Sequence, residues 1–211
     1  MRASPTAQRV YVFGAGGHAR VVLATLEAAG WTVLGLFDDD PARTGSTVDG
    51  VETLGAIEAF LPLDAPLVLA IGHNATRARI AARLDGRVEW ARAIHPLAHV
   101  HRTVDVGPGT VVFAGAIVQP GCRLGAHAIV NTAATADHEC VVGDFAHLAP
   151  GVHLAGNVTL EEGALLGTGA CAIPGVTVGA WTTVGAGGVV VADLPAHAVA
   201  TGVPARVRPS S

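Results

Sequence analysis

The chain has 211 residues and a formal net charge of −4; half of it is hydrophobic, 4% is aromatic and 27 residues are Gly. All thirteen basic residues are Arg and they are scattered, which leaves no clustered basic face for nucleic acid, and no run of about 18 uncharged apolar residues marks a membrane span. The apolar mass is therefore Val, Ala and Leu, which suits thin repeated layers better than a core built around aromatics.

Residues 1–9, MRASPTAQR, read as a disordered leader without the apolar centre of a signal peptide, so a cytoplasmic setting is expected. Residues 10–91 alternate strand and helix. Val10–Phe13 is a short apolar strand and Gly14-Ala15-Gly16-Gly17-His18 a tight turn. Arg20–Ala29 carries Val22, Leu23 and Leu26 at helical spacing, with Gly30 to cap its end. Val33–Phe37 is a second strand, closed by Asp38-Asp39-Asp40-Pro41. Leu67–Ile71 is a third, followed by Gly72-His73-Asn74, with Asn74 as N-cap of a helix over Ala75–Leu84. This is a small Rossmann-like α/β unit with a parallel sheet.

From about residue 94 the period changes. Every sixth residue from Ile94 to Val190, seventeen in all, is Val, Ile, Leu or Ala. A strict six belongs to a hexapeptide β-helix, in which three hexads close an 18-residue turn. A second, mostly small column (Val104, Thr110, Ala116, Cys122, Ala128, Ala134, Cys140, Ala146, Val152, Val158, Ala164 and Ala170) should also face inward. Cys122 and Cys140 then stack one coil apart, and two reduced core thiols are expected. The predicted β-helix domain spans 92–191, and 192–211 is a C-terminal tail.

His138, Glu139 and His147 occupy neither column. They should point out of the prism at no packing cost. An imidazole beside a carboxylate is held in one tautomer and made more basic, as a general base requires; the competing reading is a merely solvated polar surface. Zinc needs three or four convergent ligands, and the repeat region has no pair of His five apart, so no metal is expected. Cys140 lies nearest His138, but its slot faces the core, where a thiol is inert. Gly14-x-Gly16-x-x-Ala19 fits a phosphate-binding turn with Asp38 at the ribose position. A full dinucleotide fold needs two halves and this unit supplies one. A nucleotide or nucleotide-sugar pocket is expected, with an unliganded tight turn as the alternative.

Taken together, these motifs carry a resemblance. Tyr11 to His18, Phe37-Asp38-Asp39, Ala70 to Asn74, Asn131-Thr132, His138-Glu139-Cys140, Phe145-Ala146-His147 and Gly202 to Arg206 resemble the bacterial sugar N- and O-acyltransferases of the left-handed β-helix superfamily. The likeness is strongest to UDP-4-amino-sugar N-acetyltransferases of bacillosamine synthesis, with sialic acid O-acetyltransferases and GDP-perosamine N-acetyltransferases related. It implies a small Rossmann-like domain followed by a left-handed parallel β-helix, and a homotrimer with active sites between subunits. Acetyl-CoA is the implied co-substrate and a nucleotide-activated amino sugar the implied acceptor. It further implies His138 as general base and Glu139 as the carboxylate raising its basicity. His147, Gly156, Thr168, Gly185, Ala186 and Arg206 are implied at acetyl-CoA. Gly14, Gly16, Gly17, His18, Asp38, Asp39, Gly72 and Asn131 are implied at the sugar nucleotide. The chain departs from the family pattern at Gly16, where Ser is common, and at His73, where Asn is expected. With no Lys, Arg206 or Arg208 would have to meet a CoA phosphate. Sugar O-acetylation and a non-catalytic trimeric nucleotide-binding scaffold remain the alternatives.

Overall fold

A computed structural model of the chain describes residues 8–209. Residues 1–7 of the predicted leader, and 210–211 of the predicted tail, lie outside the described residues; Arg9 already opens the first strand. The N-terminal unit runs β1 (Arg9–Phe13), α1 (Gly17–Ala28), β2 (Thr32–Phe37), β3 (Thr47–Val48), β4 (Val51–Gly55), β5 (Leu67–Leu69) and α2 (Asn74–Leu84). The sheet order is β3-β4-β2-β1-β5. Only β3 and β4 pair antiparallel, across a turn whose central residues Asp49 and Gly50 both have positive φ, the two-residue hairpin geometry that Asp-Gly favours. No strand is expected from the sequence over these residues. Gly30 ends α1 as expected, at φ 79° with its N–H on Glu27 O.

One cap differs from expectation. The N-cap of α2 is His73, whose Nδ1 accepts from Thr76 N at 3.2 Å. Asn74 is already helical, and its side chain turns inward to donate to Gly163 O at 3.0 Å. The imidazole can do this because a neutral ring offers one acceptor nitrogen. His73 thus serves as the cap at the position where the resemblance leads to Asn.

Beyond Ala91 the six-residue period becomes geometry. Two-residue strands recur every six residues from Ala93–Ile94 to Val189–Val190, and the second residue of each is a member of the aliphatic column. Strands eighteen residues apart pair in parallel, as in Ile117↔Thr135 and Thr135↔His153. Three sheets result, and they bound a prism. Face I holds the strands of Ile94, Val112, Val130, Leu148, Leu166 and Val184; face II those of Val100, Val118, Ala136, Leu154, Ala172 and Val190; face III those of Val106, Leu124, Val142, Leu160 and Val178. From Val112 onward both inward columns are buried in one continuous core, while Ile94, Val100, Val104 and Val106 are half-buried at its open end. A fully buried Val or Leu is worth roughly 1.5–3 kcal/mol over an exposed one, so the repeat gains at every hexad. The tail closes the far end: Val199–Thr201 extends face I in parallel, and Arg206–Val207 turns back antiparallel on it.

The α/β unit sits on face I. Ala19, Val22, Leu23 and Leu26 of α1 share a core with Val111, Phe113 and Ile129 on the outside of that face. Phe145, at the corner between faces III and I, packs into the second core under α2. The outward residues of the first coils of face I are therefore covered, Val111 and Ile129 among them, while Val199 further along stays exposed, and His147 lies next to the covered part.

Candidate active site

His138 stands at the corner between faces II and III. The turn is fixed by Asp137, whose Oδ1 accepts His138 N at 2.8 Å, and Asp137 O accepts the Cys122 thiol at 2.9 Å. Glu139 adopts φ 59°, the left-handed geometry of this corner, with its N–H on Pro120 O. That conformation brings its Oε2 to 3.3 Å from His138 Nδ1. Nε2 then becomes the nitrogen free to take a proton. Both side chains are more than half exposed. One coil further on, a Cβ at Gly156 would collide with Cε1 and Nε2 of the His138 ring. The glycine is thus the seat of the imidazole. Cys122 and Cys140 beneath this corner are free thiols. Burial pushes the Cys140 thiol up to about 11, so neither supplies a nucleophile at neutral pH.

A second group forms where the α/β unit meets face I. In the sheet order β1 lies between β2 and β5, so the chain reverses direction there, and such a switch point is where open α/β sheets bind ligands. The loop after β1 and the loop after β5 flank it. Gly14 is required by the fold: its φ is 111° and a Cβ would meet Ala70 O. Gly16 and Gly17 have nothing within 4 Å of a Cβ position, and α1 starts with no side-chain cap and no acid in its first turn. The start of α1 is thus uncrowded at Gly16 and Gly17, as an anion site at a helix N-terminus requires. His18 on that first turn groups with Gly72, Asn131 and His147. The His18 and His147 rings are 6.4 Å apart, and Asn131 Nδ2 is 3.1 Å from His147 Nε2. Burial, then the charge of Arg77, lowers His18 to about 4. The same causes, in the same order and joined by His18, take His147 to about 3, against a backbone hydrogen bond with Gly72 that acts to raise it. Both rings are neutral near pH 7. His18 Nε2 is buried without a hydrogen-bond partner among the described residues.

The remaining expected residues divide between structural and open positions. Asp38 holds the glycine loop, with Oδ2 on Ala15 N at 2.8 Å and Oδ1 on Asp40 N at 3.0 Å. Asp39 is engaged by Arg83 at 2.8 and 3.1 Å. Thr168, Gly185 and Ala186 lie on the corner between faces I and II, and Arg206 is exposed beside face I on the closing strand. Gly156 is with His138 on the corner between faces II and III. His147 shares a coil with His138 but not a face: it points outward, as expected, yet lies under the α/β unit rather than in the open. Arg77, which no sequence motif marks, touches both domains.

Comparison with known proteins bears on the fold and the family. Residues 9–84 match the PglD N-terminal domain family. A histidine-to-asparagine mutant of perosamine N-acetyltransferase from Caulobacter crescentus, solved with CoA and GDP-perosamine, is 41% identical. The match covers 99% of this chain and 100% of that one, with a TM-score of 0.89. The acetyltransferase domain of PglB from Neisseria gonorrhoeae, solved with acetyl coenzyme A, is 38% identical over 96% of this chain and 100% of that one, with a TM-score of 0.86. GDP-perosamine N-acetyltransferase of Escherichia coli O157:H7 is 29% identical over 78% of each chain. Other curated relatives are matched in part, the chain spanning about half of the UDP-N-acetylbacillosamine N-acetyltransferase of Bacillus subtilis. The likeness runs along the whole length of these solved relatives, and the chain belongs to the hexapeptide-repeat sugar N-acetyltransferase family with a PglD-type N-terminal domain.

Proposed function

We propose that the protein transfers the acetyl group of acetyl-CoA to the amine of a nucleotide-linked amino sugar, in a cytoplasmic step of surface-glycan assembly. A GDP-linked sugar of the perosamine type is the first candidate, since the full-length relative at 41% identity was solved with GDP-perosamine. The observation that carries the reading is the His138 imidazole, oriented by Glu139 and seated on the Cβ-free ledge of Gly156. His138 Nε2 takes the proton of the acceptor N–H as nitrogen bonds to the thioester carbonyl carbon. The C–S bond breaks, and the departing thiolate recovers that proton from the imidazolium. No acyl-enzyme is formed. Such a base contributes about 10²–10⁴ in rate.

The site is completed by a second copy of the chain. His138 and Gly156 stand where faces II and III meet, whereas the glycine loop, His18, Asn131 and His147 lie on face I and its edge. The body of the prism separates the two groups within one chain. A homotrimer of parallel coils brings the II–III corner of one copy to face I of its neighbour, and acetyl-CoA would lie in that groove along Thr168, Gly185 and Ala186. The test is release of free thiol from acetyl-CoA with GDP-, UDP- and dTDP-linked amino sugars and with free sialic acid. Release with an amino sugar is expected. Release with sialic acid alone would move the reaction to a hydroxyl, and no release with any acceptor would remove the acetyl-transfer reading.

A further inference from the structure

Arg77 is the largest fully buried residue among the described residues, at 1% exposure. It reaches from α2 into the corner of the coil between faces III and I. Nε donates to His127 O at 2.9 Å, and Nη1 to Ile71 O at 2.9 Å and Gly72 O at 3.2 Å. Nη2 donates to Asn74 Oδ1 at 3.0 Å and Phe145 O at 2.6 Å. No carboxylate is among these partners. A buried cation without an acid is costly unless its donors are satisfied, and here carbonyls from both domains do so. Asn74 continues the seam by donating to Gly163 O. His127, Phe145 and Gly163 occupy the same left-handed corner position on successive coils, so α2 grips three coils in a row.

We propose that Arg77 is a positioning residue of the acceptor pocket: it clamps the Ile71–Gly72 turn to the coil and thereby sets the wall of His18, Gly72 and His147 against which the sugar nucleotide lies. The proposal rests on the pocket reading above. Its first support is geometric, since Nη1 holds the two carbonyls of the turn that closes one side of the switch point, while Nε and Nη2 hold the coil. Its second is electrostatic. The charged group acting on His147 from α2 is Arg77, and the titratable group acting from α1 is His18; Asn131 meets the ring from the coil. Arg77 therefore adds to burial in keeping the wall as neutral imidazoles, each with one donor and one acceptor nitrogen. Lysine keeps the charge but cannot reproduce the fork.

The test uses Arg77→Lys, Arg77→Met and Asn74→Ala in the full chain, with separate KM values for the amino-sugar nucleotide and acetyl-CoA, and NMR titration of the His18 and His147 rings. Acceptor KM should rise about tenfold or more in both Arg77 variants, with acetyl-CoA KM changed by less than about twofold. The His147 midpoint should move up in Arg77→Met and stay lower in Arg77→Lys. Asn74→Ala, which removes one acceptor of the fork, should show a smaller version of the same KM split. A merely structural Arg77 would lower the folded fraction and leave both KM values of the folded protein alone; that result, or equal losses for the two substrates, overturns the proposal. If Arg77→Met does not fold, the KM split of the other two variants decides. If the wild-type protein acetylates no amino sugar, the functional reading fails, and an unmoved His147 midpoint then decides against the clamp by itself.

Discussion

His138 depends on three neighbours that hold it in different ways. Asp137 fixes its backbone, Glu139 orients its Nδ1, and Gly156 leaves room for its ring. His138→Ala should lower kcat by about 10²–10⁴ with an unchanged melting temperature, as steady-state rates and a thermal scan would show. Gly156→Ala is the sharper variant. It removes no functional group, yet the new methyl must displace the imidazole, and a misplacement of about 1 Å can cost on the order of 10² in rate. We expect a fall in kcat that His138→Ala does not deepen much when the two are combined. If Gly156→Ala retained full kcat, the ring would not be seated where the structure has it.

At the scale of elements, the coil was the most legible part of the chain. Each strand is only two residues long, so the same inward slot returns every six residues and the pattern needs no tertiary knowledge. Leu148 fills one such slot and is fully buried. Leu148→Ala should cost about 2–5 kcal/mol, readable as a shift of the urea midpoint. The small elements were less legible. The β3–β4 hairpin pairs only Thr47 with Glu52 and Val48 with Val51 around Asp49-Gly50, too short for a period to show. The capping residue of α2 was misplaced by one position because Asn is the commoner cap and the imidazole of His73 competes for the same N–H. The coverage of face I was hidden for a different reason. His147 reads as outward in the repeat, and it is; what it faces is decided by another domain. Arg77, likewise, is indistinguishable in sequence from Arg79 and Arg83 on the same helix. Its place between the two domains, where carbonyls of both meet the guanidinium, sets it apart.

The whole molecule joins these groups through one seam, and the seam has a pH signature. His18 and His127 fall to about 4, and His147 to about 3, each chiefly by burial. Their unfolded values lie near 6.5. Below that pH the unfolded chain binds protons that the folded chain refuses, so stability is full above pH 6.5 and falls as the pH drops toward 4. The three groups together can cost up to about 4 kcal/mol per pH unit near pH 5. Urea midpoints at pH 7, 6 and 5 should therefore decline, and replacing His127 with Phe, which keeps the stack on Phe145, should flatten the decline.

The same molecular scale holds the central claim, that the base of one chain serves the pocket of another. The most direct measurement is co-expression of two inactive variants under different tags, His138→Ala and Asn131→Ala, followed by isolation of trimers carrying both. Each variant alone has one defective half in every site. A site that draws its base from one subunit and its pocket from the next regains two sound halves in some interfaces of the mixed trimer, so acetyl transfer should return well above the sum of the two parents. If the mixed trimers are no more active than the parents, base and pocket belong to the same chain and the shared site is wrong.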